Sequence, residues 1–420
     1  MNLHDEFRSD RVTKPCSEDG ITMQAKKMLH QTLKKSCPHI HDYRLTALMD
    51  VVESLVYGNT LTVTGLGRSL LRNISMKHSI KQSDRLIGNT HLYEERQSIY
   101  QTVARQLIGN NQRPIILIDW SDYTADRSQL LLRASVPVGG RALTLYEEVH
   151  PYKAYGNARI QKTFLKTLHS FLAVDCCPVI ITDAGFMSPW FGAVQKLGWD
   201  YIGRIRRDIY YQETREHGWL PCARLHDEAT STPRYYGDVD IVRYRPFNCH
   251  LYLYKQQNKG RHKKTVYGYR AQSRHSKKNA QREKTPWLLV SSLGQDDASA
   301  KQVIQLYRTR MQIEEGFRDI KNQRTGFALT ETRTRSPQRL ANLLLVGMLA
   351  TLVIWLMGRL AEKKQWHVHY QANTVKSHRV LSLFYLGCLL IVKGQFTFTQ
   401  HELQQAIELV QLDMIKQWVS

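Results

Sequence analysis

The sequence predicts an α/β domain with a mostly β insertion, flanked by helical N-terminal and C-terminal regions. Three observations lead to this fold class. Two short apolar runs, residues 114–120 and 177–183, are typical of strands, and each reaches an aspartate near its carboxyl end. A hairpin signal with a Gly139-Gly140 turn follows the first run, so antiparallel and parallel pairing are both expected in one mixed sheet. Before about residue 110 and after about residue 336 the pattern is helical.

The composition indicates a folded and strongly basic protein. Hydrophobic residues make up 42% of the 420 residues, which is enough for a sizeable core and excludes a wholly disordered chain. The formal net charge of +22 favours nucleic acid as a partner, because phosphate neutralisation and counterion release would supply most of the affinity. A solvated basic surface, or a patch that binds anionic membrane, is the alternative. The seven cysteines include no Cys-x-x-Cys pair, which argues against a disulfide framework and a structural zinc site.

The N-terminal part of the chain is polar at first and then helical. Residues 1–22 lack the apolar stretch of a secretory signal. Helical patterns follow at residues 45–57 and 76–87, with a short turn region at residues 64–71 between them. The second of these helices carries the basic side chains Lys77, His78, Lys81 and Arg85. A helix-turn-helix that reads DNA and an ordinary helical bundle with a solvated basic face fit this pattern equally well.

The central part alternates strands and helices. In chain order the pattern predicts strand 114–120, hairpin strands 130–138 and 142–149, helix 157–172, strand 177–183, helix 190–197 and strand 200–205. Active groups in α/β sheets lie at the carboxyl ends of strands. Asp119 and Asp183, which sit near the ends of two such strands, are therefore candidate metal ligands.

A different composition begins at about residue 206 and continues to about residue 285. Short strand-like runs alternate there with polar loops, which predicts a β-rich insertion. Residues 255–284 contain eleven lysines and arginines and one acidic residue. Such a run is typical of a solvated loop, and in a protein this basic it could also clamp a phosphate backbone. A strand at 286–293 and a long helix at 299–321 follow.

An apolar segment at residues 340–358 has two interpretations. It is long enough to span a membrane and carries no charge. It is also what a helix buried in the centre of a large domain looks like. We expect the buried helix, because the rest of the chain is typical of a globular nucleic-acid-binding protein.

The helix predicted at residues 299–321 carries the most informative pattern. With about 100° per residue, Tyr307, Arg310, Glu314 and Lys321 fall within about 60° of one another beside the apolar face. A carboxylate among cations could merely form salt bridges one turn apart. A narrow polar stripe that borders an apolar face would instead look into a cleft. Glu315 points away from this stripe, so Glu314 is the better candidate for a third carboxylate.

At these residues the sequence resembles the insertion sequence 4 family of bacterial transposases. Tyr307, Arg310, Glu314 and Lys321 match the Y-R-E-K signature of that family. Further matching motifs occur in order along the chain: LIDWSD at 117–122, TDAGF at 182–186, RMQIEEGFRDIK at 310–321 and QANT at 371–374. The resemblance runs from about residue 25 to near the C-terminus. Four motifs at fitting spacing are far more specific than any single motif.

The resemblance implies a ribonuclease-H-like catalytic domain that is interrupted by the β-rich insertion. It implies Asp119, Asp183 and Glu314 as catalytic residues that bind Mg²⁺, for which Mn²⁺ can substitute. This agrees with the physical expectation, because Mg²⁺ prefers oxygen ligands and two such ions can stabilise an in-line displacement at phosphorus. The resemblance also implies that the other three residues of the signature, Tyr307, Arg310 and Lys321, contact DNA phosphates.

Two further residues have both a functional and a structural interpretation. In relatives, residues that match Trp287 and Met311 help to hold a base that is flipped out of the DNA near the cut. Aromatic stacking would offset the cost of unstacking that base. A Trp at the start of an apolar strand is, however, more often a core residue. Asp122 is left out of the site because strand alternation places it on the face opposite Asp119.

The sequence thus predicts a DNA transposase that cuts and pastes through hairpin DNA ends, with two protomers pairing two ends. Its partners would be the inverted ends of the element and target DNA, with no membrane, in the bacterial cytoplasm near the nucleoid. The rivals are another nuclease or resolvase of the same fold and a DNA-binding regulator derived from a transposase. The predicted divisions are an extension at 1–22, a DNA-binding region at 23–110, the catalytic core at 111–335 and a C-terminal region at 336–420. Because the resemblance fails before about residue 23, Met23 is a candidate for the true start.

Overall fold

A computed structural model of the chain describes residues 21–123, 126–206, 208–213, 218–256, 268–274, 276–277, 285–375, 377–394 and 397–418. Two compact units share these residues. The first comprises Met1–Tyr155, Lys166–Cys176 and Met311–Ser420, and the second comprises Gly156–Leu165 and Cys177–Arg310. Residues 1–20 of the predicted extension at 1–22, and most of the basic run at 255–284, lie outside the described residues.

The main helices are α1 (Ile21–Ser36), α2 (Asp42–Gly58), α3 (Val63–Arg68), α4 (Met76–Ile87), α5 (Thr90–Ile108), α6 (Ala158–Phe171), α7 (Ser188–Gln195), α8 (Leu225–Glu228), α9 (Ala300–Arg308), α10 (Met311–Lys321), α11 (Pro337–Lys363), α12 (Leu383–Lys393) and α13 (Gln400–Lys416). The strands are β1 (Ile115–Asp122), β2 (Gln129–Val138), β3 (Arg141–Pro151), β4 (Val179–Thr182), β5 (Asp200–Ile205), β6 (Tyr210–Gln212), β7 (Leu220–Pro221), β8 (Arg234–Ile241), β9 (Phe247–Tyr254) and β10 (Trp287–Ser291).

The N-terminal helices begin at residues that cap them. The side chains of Thr62, Ser75 and Asn89 each accept a hydrogen bond from a backbone N–H in the first turn of α3, α4 and α5. The turn region predicted at residues 64–71 is wrong in part, because α3 occupies most of it. Sequence periodicity misses a helix of only six residues, whereas the cap at Thr62 and tertiary packing form it.

Helices α3 and α4 lie against each other and form a helix-turn-helix pair. A Cβ atom at Gly67 would lie only 2.4 Å from the Cα of Ile80, so the approach of the two backbones needs a glycine there. The basic side chains of α4 that the sequence singled out are all exposed. This arrangement is compatible with both interpretations of the region.

A three-stranded antiparallel sheet with the order β3-β2-β1 lies in the first unit. The predicted hairpin is confirmed, since Gly139 and Gly140 form the turn between β2 and β3 with φ angles of 53° and 85°. Almost every residue of β2 is buried. Helix α10 packs against all three strands, and α5 and α11 pack against β3. This packing fixes the position of α10 relative to Asp119 on β1.

The apolar segment at residues 340–358 lies within α11, a helix of 27 residues. Among the described residues α11 alone is long and apolar enough to cross a membrane, by length and composition only. In its most apolar stretch 94% of the residues are buried inside the protein. The side chain of Asn342 is also satisfied internally, because its Nδ2 donates to the carbonyl oxygens of Ile87 and Asn89 at 3.0 Å each. The prediction that this segment forms a buried helix is therefore confirmed.

The second unit contains a mixed sheet with the order β4-β5-β10-β9-β8-β6-β7. Strands β4 and β5 are parallel, and the other neighbours are antiparallel. Strands β6 to β9 lie within the range of about 206–285 that was predicted to be a β-rich insertion. These strands extend the sheet through β10, which pairs with β5 on one side and with β9 on the other.

The single helix predicted at residues 299–321 is wrong, because the chain forms two helices, α9 and α10. A capping box of Ser299 and Gln302 begins α9. At its end, Thr309 Oγ1 donates to the carbonyl oxygen of Leu306 at 2.6 Å, and the Arg310 N–H donates to the Tyr307 carbonyl at 3.1 Å. Bonds three residues apart tighten the last turn and end the helix. The angular argument from the sequence therefore holds only within α10, because Tyr307 lies on α9 and Arg310 lies in the turn between the two helices.

Candidate active site

Each predicted carboxylate lies on a regular element or directly after one. Asp119 is on β1, is partly buried, and its Oδ1 accepts a hydrogen bond from the Trp120 N–H at 2.9 Å. Asp183 directly follows β4, and its Oδ1 accepts from the Gly185 N–H at 2.8 Å, which shapes the turn after that strand. Glu314 is partly buried in the first turn of α10, where the positive end of the helix dipole favours a carboxylate.

The competition between Glu314 and Glu315 can be judged from what their neighbours bind. Glu315 Oε2 lies 2.7 Å from Arg318 Nη1 and 3.6 Å from Arg141 Nη1. Asp319 also binds Arg141, with Nε donating to Oδ2 at 2.7 Å. Glu315 and Asp319 thus tie α10 to Arg141 at the start of β3. The choice of Glu314 as the candidate ligand stays a prediction.

Lys321, the last residue of α10, lies against β1. Its Nζ donates to Ser121 Oγ at 2.7 Å and lies 5.4 Å from the centroid of the Phe317 ring. Burial lowers the pKa of Lys321 to about 8, and the positive charge of Arg133 adds to this effect, whereas Asp122 and Asp119 act in the opposite direction. The side chain of Lys321 is therefore within electrostatic reach of Asp119.

A buried ion pair lies beneath this lysine. Arg133 on β2 faces Glu147 on β3, with Arg133 Nη2 2.6 Å from Glu147 Oε2, and both side chains are almost fully buried. Glu147 Oε1 also accepts a hydrogen bond from the Tyr100 hydroxyl at 3.0 Å. The guanidinium carbon of Arg133 lies 4.7 Å from the centroid of the same Phe317 ring. Neither residue was singled out from the sequence, although charged residues within the apolar runs of β2 and β3 were a signal.

The second unit holds Asp183, Tyr307 and Arg310. The pKa of Arg204, on β5, is lowered first by burial. The Arg310 charge lowers it further, whereas Tyr307 and Asp183 raise it. Arg310, Tyr307 and Asp183 therefore all lie within electrostatic reach of Arg204. Sequence reasoning missed Arg204, whose only signal was a cation in an otherwise apolar strand.

The structure places Trp287 among aromatic rings. Trp287, partly buried at the start of β10, lies 5.0 Å from the Tyr307 ring in an edge-to-face arrangement and 5.5 Å from the Tyr254 ring. The Tyr307 side chain is only 3% exposed. Met311, in the first unit, is 49% exposed at the beginning of α10. Trp287 thus supports Tyr307 and remains partly accessible, which fits either interpretation of this residue.

The three predicted metal ligands are all carboxylates. Asp119 and Glu314 belong to the first unit and Asp183 to the second, and each offers partly accessible carboxylate oxygens. Oxygen donors of this kind fit Mg²⁺ or Mn²⁺. No group of three or more His, Cys, Asp or Glu side chains that could hold a metal ion is found among the described residues. The metal role of the three carboxylates therefore stays a prediction.

Comparisons with known proteins identify a family for most of the central region. The family described as "Transposase DDE domain" matches residues 110–353, which is more than half of the chain. No curated protein matches the chain. Similar solved structures include one described as "Cryo-EM structure of piggyBac transposase synaptic complex with hairpin DNA", with 13% sequence identity and a TM-score of 0.41. That similarity covers 95% of this chain and 87% of the other.

Proposed function

Because this chain belongs to the transposase DDE domain family, we propose that it excises and inserts a mobile DNA element by a cut-and-paste reaction. The observation that carries the proposal is the family match over residues 110–353, a range that contains Asp119, Asp183 and Glu314. In this reaction water cleaves one strand at each element end. The freed 3′-hydroxyl attacks the opposite strand to form a hairpin, which is reopened before the ends join target DNA.

The three carboxylates would hold two Mg²⁺ ions, or Mn²⁺ in their place. Such ions, when bound, stabilise the attacking and leaving oxygens at the phosphorus atom. The protein would supply the positioning. Asp119 on β1 and Glu314 on α10 are held by the packing of that helix on the strands, and Asp183 is fixed by the turn at Gly185.

Two cations, Lys321 and Arg310, and the hydroxyl group of Tyr307 would bind the phosphates at the cleavage position. Lys321 lies near Asp119 in the first unit, and Arg310 and Tyr307 lie near Asp183 in the second through their shared neighbour Arg204. Preorganised positive charge at a phosphate stabilises the negative charge that develops in the transition state.

The DNA outside the cleavage position needs further contacts. Trp287 and Met311 would hold a flipped base next to the cut, supported by the partial exposure of both side chains. The exposed basic face of α4 would bind the element end. We place the reaction in a dimer that pairs two ends, in the cytoplasm of a bacterium near its nucleoid.

Incubation of the protein with Mg²⁺ and DNA that carries the element's inverted ends tests the proposal. Asp119→Ala, Asp183→Ala and Glu314→Ala should each lower the cleavage rate by at least about 10²-fold. Glu408→Ala is the matched control, because Glu408 is an exposed carboxylate on α13 that is not placed in the site. Cleavage at the wild-type rate by any of the three alanine variants would remove that residue from the triad.

The products separate the proposed reaction from its rivals. A hairpin and joining to a second DNA are expected for the cut-and-paste reaction. Cleavage without strand transfer would indicate a nuclease or resolvase instead. Binding of the ends without any cleavage would indicate a DNA-binding regulator.

A further inference from the structure

We infer that Ser121 is a positioning residue, which holds the ammonium group of Lys321 on the face of β1 that presents Asp119. This inference rests on the proposed function of Lys321 as a phosphate contact. It assigns to Ser121 a role that the transposase signature residues do not include. The contact that motivates it is the 2.7 Å hydrogen bond from Lys321 Nζ to Ser121 Oγ.

The position of Ser121 along the strand gives the contact its meaning. Side chains two residues apart in a strand lie on the same face of the sheet. Ser121 therefore shares a face with Asp119, and both are partly buried, whereas Asp122 is exposed. A lysine that donates to Ser121 is directed towards the face where the predicted metal ligand lies.

A second contact restrains the same lysine. Phe317 precedes Lys321 by one helical turn, and its ring centroid lies 5.4 Å from Lys321 Nζ, within the range of a cation–π interaction. Arg133 contacts the same ring and is itself fixed by the buried pair with Glu147. The position of the Phe317 ring is therefore fixed. The hydroxyl group of Ser121 adds a directional hydrogen bond that restrains the flexible Lys321 side chain.

Preorganisation explains why a phosphate-binding lysine would need such a partner. A lysine side chain has many rotamers, and ordering it on DNA binding lowers the affinity. A neutral hydroxyl can accept a hydrogen bond from the ammonium group without cancelling its charge. A carboxylate at the same position would neutralise the cation that the phosphate must meet. Serine therefore suits the position in both geometry and charge.

The first test measures cleavage of end DNA under single-turnover conditions. Ser121→Ala should lower the cleavage rate by roughly tenfold, the scale of a hydrogen bond to a charged group. Ser121→Thr keeps the hydroxyl and should recover most of the rate. In a Lys321→Ala background, Ser121→Ala should change the rate by less than about twofold, because the two residues act as one unit.

A merely structural serine would give a different pattern. In that case Ser121→Ala would lower the melting temperature and would lower the rate equally in both backgrounds. That result, or a wild-type rate for Ser121→Ala in a wild-type background where Lys321→Ala is impaired, would overturn the inference. Failure of all variants and of the wild type to cleave would count against the proposed function.

The second test needs no DNA and so keeps the inference falsifiable if no cleavage occurs. Acylation of Lys321 in the folded protein is followed by peptide mass spectrometry, with the exposed Lys162 as internal reference. Ser121→Ala should raise the relative labelling rate of Lys321 several-fold, because loss of the acceptor frees the amine and disfavours its charged form. Ser121→Thr should label as the wild type does. Equal rates in Ser121→Ala and wild type would overturn the inference.

Discussion

Each unit partly buries a cation near a predicted catalytic carboxylate, but the two units use different residues for it. In the first unit the pKa of Lys321 is lowered to about 8, mainly by burial and then by Arg133. In the second unit burial and Arg310 also lower the pKa of Arg204, but the ordinary pKa of a guanidinium is far higher than that of an ammonium group. A lysine in such a place can lose its proton near working pH, whereas an arginine stays charged.

The difference indicates that alkaline pH should act on the first unit and not on the second. The first unit binds its cation through a neutral hydroxyl, Ser121, and a ring, Phe317. The second unit places Arg204 against backbone, with Nη2 donating to the carbonyl oxygens of Thr285 and Pro286 at 3.4 and 3.3 Å. The charge of Lys321 can therefore change with pH, whereas the charge of Arg204 does not.

The largest effect is expected when the buried ion pair of Arg133 and Glu147 in the first unit is broken. Glu147→Ala leaves Arg133 buried without its partner and removes the acceptor of the Tyr100 hydroxyl. We expect the free energy of unfolding to fall by about 3–5 kcal/mol, measured by urea denaturation. The double variant Arg133→Met with Glu147→Leu is the control and should recover much of this loss, because it removes both charges. An unchanged urea midpoint for Glu147→Ala would show that the pair does not support α10.

The next effect distinguishes the two cations by pH. For wild type, kcat/KM for end cleavage should fall about tenfold per pH unit above about 8, because the free enzyme then loses the proton of Lys321. Lys321→Arg should keep its rate up to at least about pH 9.5, since a guanidinium stays charged. Arg133, Asp122 and Asp119 are the charged groups that act on Lys321, and all three are the same in both proteins. Parallel pH profiles for the two proteins would contradict the assignment.

Stability should move in the opposite direction over the same range. The pKa of Lys321 is lowered in the folded state from 10.5 to about 8. The folded state therefore binds the Lys321 proton more weakly than the unfolded state does. The contribution of Lys321 to the free energy of unfolding is complete above about pH 10.5 and is lost as the pH falls through 8. Relative to Lys321→Arg, wild type should gain unfolding free energy between pH 8 and 10.5 while its cleavage rate falls. Alkaline unfolding would lower the unfolding free energy and the cleavage rate together. Opposite trends in the two quantities would therefore show that loss of the Lys321 proton slows cleavage directly.

The sequence could predict most elements and the candidate residues, but not the contacts that join them. The two strands that lead to Asp119 and Asp183 were predicted because short apolar runs are typical of strands, although β1 continues to Asp122 and β4 ends at Thr182, one residue before Asp183. The break at Thr309 was not predicted, since Thr and Arg are both tolerated within helices and the break depends on a hydroxyl that bonds the Leu306 carbonyl. Ser121 and Arg133 were also missed. Their roles depend on contacts between parts of the chain that are far apart in the sequence. Ser121 on β1 and Lys321 on α10, for example, are 200 residues apart.

The smallest effect is expected when the two types of cation are exchanged between the units. Arg204→Lys in a Lys321→Arg background places an adjustable cation in the second unit and a fixed one in the first. Burial lowers the pKa of a lysine as it lowers that of Arg204, and Arg310 acts in the same direction. We therefore expect a loss of end cleavage of several-fold between about pH 8 and 9.5, milder than that of wild type, because Asp183 and Tyr307 oppose the loss of the proton. The control is Lys321→Arg alone, with melting temperatures measured at each pH. A flat pH profile for the double variant would show that the charge of Arg204 serves only to bind the backbone carbonyls, and the pH response would then belong to the first unit alone.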